Sequence, residues 1–161
     1  MKYFSTRDKT LNLSFKDIFL RGLAPDGGLF LPSEVRKYSK SEIQNLSKLS
    51  YTDLATEIVS NFCKLDIEKT KLKSLIKKSY LSFDDKEVVK IKKVGEVNFL
   101  ELYNGPTLAF KDIAMQVIGN MYDELEVAKE KPVNIVVATS GDTGSAAISA
   151  LNDRKNINVF V

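Results

Sequence analysis

Apolar residues in the first eighty positions recur at helical spacing, and three of the four runs open on a serine suited to cap a helix. Ser14, with Asp17 three positions on, begins a stripe of Phe15, Ile18, Phe19 and Leu23. Gly22 and Pro25-Asp26-Gly27-Gly28 break that stripe, and Leu29-Phe30-Leu31 reads as a short buried extended piece ended by Pro32. Ser39 with Glu42 opens a second helix carrying Ile43, Leu46 and Leu49. Ser50 with Asp53 opens a third carrying Leu54, Ile58 and Phe62. A fourth, from about Glu68 to Leu81, turns Leu72, Leu75 and Ile76 inward and its lysines outward.

Beyond residue 84 the period changes. Val88-Val89-Lys90-Ile91 and Val97 to Tyr103 predict a hairpin around a Gly95-Glu96 turn. Phe110, Ile113, Ala114, Val117, Ile118, Met121 and Leu125 then recur over four helical turns, with Pro132 at the exit. Val133 to Ala138 is a short apolar run suited to a strand buried on both faces. Thr143 to Asn152 predicts another helix, and Ile157 to Val161 the start of a further strand. Strand, helix, strand, helix, strand is the order of a right-handed parallel α/β sheet. The pattern divides the chain into a small helical N-terminal domain, residues 1–82, and the beginning of an α/β domain, residues 83–161. Because a parallel sheet stopping at Val161 leaves a raw edge and no covering helix, the sequence is expected to be an incomplete part of a longer protein, or to need another chain.

Composition adds exclusions. At 161 residues, 43% hydrophobic and 28% charged, this is an ordinary globular composition. The formal charge of +3 comes from lysines scattered through the first hundred residues, which predicts a solvated surface and no nucleic-acid partner. Cys63 is the only cysteine and there is no histidine, which excludes an internal disulfide, a Cys–His nucleophile and a histidine-ligated metal site on this chain. The N-terminus lacks a secretory apolar run, and no window approaches the roughly 20 apolar residues of a membrane span. These features predict a cytoplasmic protein with no membrane partner.

Two segments carry candidate chemistry. The loop Ser140-Gly141-Asp142-Thr143-Gly144-Ser145 follows a predicted strand and opens a helix, the place where parallel sheets bind ligands. Its glycines let backbone approach a ligand, its hydroxyls add donors, and the helix start favours a carboxylate or phosphate. The alternative is a plain cap and tight turn. A P-loop is excluded by the missing Gly-Lys-Ser/Thr ending, and the dinucleotide spacing is absent too. Lys111, in Gly105-Pro106-Thr107-Leu108-Ala109-Phe110-Lys111-Asp112, sits at the first turn of the apolar helix, at the same expected sheet edge as that loop. Desolvation and a positive helix end both favour its neutral, nucleophilic amine. Asp112 either opposes that shift or caps the helix. An amine able to form a Schiff base beside an anion nest suits an enzyme that handles amino acids through pyridoxal phosphate.

Leu102 to Asp112 and Ala138 to Ala147 resemble the two signature segments of the threonine synthase family. Tyr3-Phe4-Ser5-Thr6-Arg7 and Gly22 to Pro32 resemble its N-terminal domain, so the likeness covers essentially all of the chain in order. The resemblance implies a pyridoxal 5′-phosphate enzyme of the tryptophan-synthase-β fold type (fold type II), a lyase converting O-phospho-L-homoserine and water to L-threonine and phosphate. By it, Lys111 holds the cofactor and shuttles protons, and Asp142 faces the cofactor's 3′-oxygen. Ser140, Gly141, Thr143 and Gly144 grip the substrate carboxylate. Asn104 departs from the histidine many relatives carry, which bears on substrate grip or pH dependence, and Asp8 from a common glycine. The family's cofactor-phosphate loop and its hydroxyl beside the pyridine nitrogen lie beyond position 161, so the chain alone is expected to bind cofactor weakly without turnover. Two alternatives are a non-catalytic fragment and another fold-type-II lyase. Asp26-Gly27-Gly28 disfavours the dehydratases.

Overall fold

A computed structural model describes residues 1–125 and 131–161, which form two compact units, Met1–Ser74 and Leu75–Val161. The division falls inside a helix, a few residues before the boundary drawn from the sequence pattern.

In the first unit, β1 (Tyr3–Ser5) pairs antiparallel with β2 (Phe30–Pro32), with Phe4 opposite Leu31. Three helices follow from their caps: α1 (Phe15–Arg21), α2 (Lys40–Leu46) and α3 (Tyr51–Cys63). At Ser14 and Ser39 the capping boxes are complete, since each serine accepts from the third residue's N–H and that residue's carboxylate accepts in return. The Ser50 side chain accepts from Asp53 N–H. Helix α4 (Lys69–Ser79) buries Leu72, Leu75 and Ile76 as its stripe required.

The segments Ser5–Arg7 and Asp26–Gly28 are clasped together. Asp26 Oδ1 accepts from Ser5 Oγ and from Gly28 N–H, both at 2.8 Å, and Arg7 donates to the Asp26 carbonyl at 3.0 Å. Any Cβ on Gly28 would collide with Ser5 Oγ, so this glycine is required by close approach.

The first unit departs from the sequence pattern in three places. Gly22, at φ 69°, ends α1 and turns the chain, which leaves Leu23 outside the stripe and exposed. Leu29 and Leu31 are exposed, at and just before β2, which among the described residues belongs to a sheet of two strands only. Pro32 lies within the strand rather than ending it, tolerable because an edge strand can forgo one N–H.

Tyr3 and Cys63 lie in this unit's interior. The Tyr3 hydroxyl donates to the Phe62 carbonyl at 2.7 Å, and burial pushes its pKa from 10.0 to about 12. Burial likewise pushes the Cys63 thiol from 9.0 to about 11. Both are acids whose folded pKa is raised, so the unfolded chain releases these protons first. The stability they contribute is complete below pH 9 and is lost as pH rises through about 11 and 12. Denaturant midpoints are expected to fall steadily above pH 9, and Cys63→Ala is expected to make the early part of that fall shallower.

In the second unit, β3 (Lys90–Val94) and β4 (Val97–Glu101) form the expected hairpin, Val94 opposite Val97. Helix α5 (Asp112–Glu124) follows, then β5 (Val133–Val136), α6 (Asp142–Leu151) and β6 (Ile157–Phe160). Strands β5 and β6 are parallel, Val133 opposite Ile157 and Val136 opposite Phe160. Ala147, Ala150, Leu151 and Ile157 form the core, with Met115, Tyr122, Ile135, Val137 and Val159 packed against it.

The α/β class holds, with the parallel βαβ unit confined to β5–α6–β6. Strand β4 pairs with β3 instead of joining that sheet. Nor is β5 buried on both faces: Val136 is 79% exposed and its neighbour Phe160 is 55% exposed, so the helices cover one face only. Among the described residues, no helix is long and apolar enough to cross a membrane.

Candidate functional site

The turn before α5 is held by a carboxylate. Asp112 is 0% exposed, and its two oxygens accept from Thr107 N–H and Thr107 Oγ, both at 2.8 Å. Gly105 packs so closely on Asp112 that a Cβ there would collide with it. Leu108 donates its N–H to the Gly105 carbonyl at 3.0 Å and takes φ 61°, a left-handed conformation that costs a leucine about 1–2 kcal/mol. Asp112 takes a role beside the two that the sequence left open for it: its carboxylate staples the turn that precedes the helix. Asn104 anchors the turn's other end: its carbonyl accepts from Asp84 N–H at 2.9 Å and its side-chain amide donates to the Glu87 carbonyl at 3.2 Å. Neither the staple nor the anchor was singled out by pattern, although Thr107 and Asp112 at five-residue spacing around a Gly-Pro turn offered a cue.

Lys111 follows as the first residue flanking α5, half-buried, with no side-chain capping bond. Its carbonyl accepts from Met115 N–H at 2.9 Å, so its backbone belongs to the helix. Its Nζ stands 4.4 Å from the centre of the Phe110 ring.

The start of α6 is built differently. Gly141 flanks the helix at φ 157° and ψ −90°, and among the described residues, its chain neighbours aside, no atom lies within 4 Å of where its Cβ would stand. Its N–H donates to Thr139 Oγ at 3.2 Å. Ser140, Gly141 and Asp142 are exposed, and Thr143 is half-buried. Gly144 is buried, where a Cβ would meet Thr139 Cγ2 at 2.6 Å and Val161 Cγ1 at 2.8 Å; its missing side chain lets the first turn pack closely.

Lys111 and Thr143 line one cavity of about 460 Å³ in the second unit, together with Leu102, Phe110, Ile113, Ala114, Met115 and Ile118. Two segments far apart in sequence thus bring Lys111 and Thr143 to one largely apolar wall. Ser140, Gly141 and Asp142 are not on that wall; they stand at the exposed start of the helix that carries Thr143.

Residues 2–80 match the family "Threonine synthase N terminus". The threonine synthase of Schizosaccharomyces pombe is 39% identical over 171 residues, covering all of this chain and 33% of that protein. "Threonine synthase-like 2" of Xenopus laevis is also 39% identical, covering all of this chain and 34% of that protein. The crystal structure of PLP-bound threonine synthase from Brucella melitensis superposes with a TM-score of 0.90 at 38% identity, over 99% of this chain and 34% of that one. The chain therefore belongs to the threonine synthase family and spans about a third of the length of the relatives it matches.

Proposed function

We propose that this chain carries the lysine-bearing part of a pyridoxal-phosphate-dependent threonine synthase, a lyase that converts O-phospho-L-homoserine and water to L-threonine and phosphate. The observation that carries this reading is the cavity shared by Lys111 and Thr143. The residues present fit the cofactor: an apolar wall suits a flat ring, one lysine reaches that wall, and the backbone over Gly141 is open to a ligand. When bound, the cofactor supplies an electron sink for the negative charge that develops on the substrate.

The chain's own residues do the rest. Lys111 would hold the cofactor through its Nζ and, when its amine is free, would carry a proton between the substrate's α- and β-carbons. Ser140, Gly141 and Thr143 offer hydroxyls and N–H groups to the substrate carboxylate at a helix start whose dipole favours an anion. Gly144 keeps that turn tight, and Asp142, in the first turn of α6, would face the cofactor's 3′-oxygen. We place the reaction in the cytoplasm.

A second reading is a related lyase on another phosphorylated amino acid. It draws support from the Xenopus relative, which is as similar as the yeast enzyme but bears a "-like" name. The two readings part on product, threonine or another keto or amino acid, once the complete enzyme is assayed. Because the chain spans about a third of its relatives, adduct formation is the property expected of the 161 residues themselves. The test is borohydride reduction of the chain with pyridoxal phosphate, followed by peptide mass spectrometry. A pyridoxyl group concentrated on Lys111 supports the reading, and an even spread over all lysines contradicts it.

A further inference from the structure

We infer that Asp112 is the positioning residue for Lys111, acting through Thr107. This rests on Lys111 being the cofactor lysine. A carboxylate with no solvent contact is costly unless hydrogen-bonded, and here both oxygens are satisfied by one residue, Thr107. A carboxylate in the first turn of an exposed helix would favour the helix start equally well from the surface. Burial instead turns Asp112 backward by five residues, so the bracket closes over Leu108, Ala109, Phe110 and Lys111.

Three further features hold the bracket shut. Gly105 admits no side chain against Asp112, Leu108 is kept at φ 61°, and Ala109 is buried. Since α5 fixes the Lys111 backbone from the other side, only its side-chain torsions remain free. The bracket also sets Phe110, so it fixes both the lysine and the ring beneath its amine.

The test uses Thr107→Val, which removes one of the two bonds and keeps the backbone N–H donor, Thr107→Ser, which restores the hydroxyl, and Asp112→Asn. Two readouts are taken beside a thermal melt. The first is the ring-current shift of the Lys111 ε-methylene protons over Phe110, measured without cofactor. The second is the rate at which pyridoxal phosphate and borohydride label Lys111, relative to exposed Lys48 in the same sample. Thr107→Val is expected to lose most of the ring-current shift and to lower the Lys111-to-Lys48 ratio about tenfold, with Thr107→Ser returning both toward the native values. Native values in Thr107→Val and Asp112→Asn, or no rescue by Thr107→Ser, would overturn the inference. If the native chain labels Lys111 no faster than Lys48, the cofactor-lysine reading fails, while the ring-current arm still decides what Asp112 does.

Discussion

Lys111→Ala is expected to reduce pyridoxyl incorporation at limiting cofactor to the level of the surface lysines, while leaving the fold intact. The native chain has 20 lysines, so total labelling alone does not identify a site, whereas loss of the fast component on replacing one of them does. The fold should tolerate the change because the Lys111 side chain makes no capping bond. Its contact with the Phe110 ring is worth about 0.5–1 kcal/mol at a partly exposed site. A melting temperature within a few degrees of the native one, together with loss of fast labelling, separates a chemical role from a structural one. Fast labelling that survives in Lys111→Ala would move the reactive amine elsewhere.

The second large effect concerns Gly119, at the crossing of α5 and α6. A Cβ there would stand 2.5 Å from the Ala150 carbonyl oxygen and 2.8 Å from Arg154 Nε and Nη2. The oxygen is backbone and cannot rotate away. Arg154 is no freer: Nε donates to that same carbonyl at 2.7 Å, and its other nitrogens pair with Asp123 and Asn120. Alanine in a helix is ordinarily better than glycine by about 1 kcal/mol, so an unconstrained position would be stabilised. Gly119→Ala is instead expected to cost about 2 kcal/mol net, because overpacking forces the helices apart. For a unit of this size that lowers the melting temperature by roughly 10 °C. Calorimetry of the variant checks both sign and size. Since α6 also carries Thr143, the same variant should slow Lys111 labelling.

What could be read from sequence divides along physical lines. The Ser14–Asp17 and Ser39–Glu42 capping boxes, the Leu72–Leu75–Ile76 stripe and the turn at Gly95 were legible, because each is settled within a few residues. The pairing of Val97–Glu101 with Lys90–Val94 was legible too, since a short turn joins them, but nothing local to the strand reports that it stays out of the parallel sheet. The apolar run Val133–Ala138 correctly signalled a strand, but its composition cannot report that Val136 faces outward in this chain. At the site, residue types named Lys111 and the Ser140–Gly144 loop. The Asp112–Thr107 staple and the left-handed Leu108 depend on backbone angles that a leucine gives no hint of. Gly141 and Gly144 look alike in sequence, yet open space stands over one and packed side chains over the other.

The most direct measurement follows Lys111 and Thr143 together, by titrating the chain labelled at lysine and threonine with pyridoxal phosphate and recording amide and side-chain resonances. Signals from both residues are expected to move in step with a single affinity, because one cavity receives the ligand. Lys111 signals that shift while Thr143 stays still, or that follow a different affinity, would contradict it.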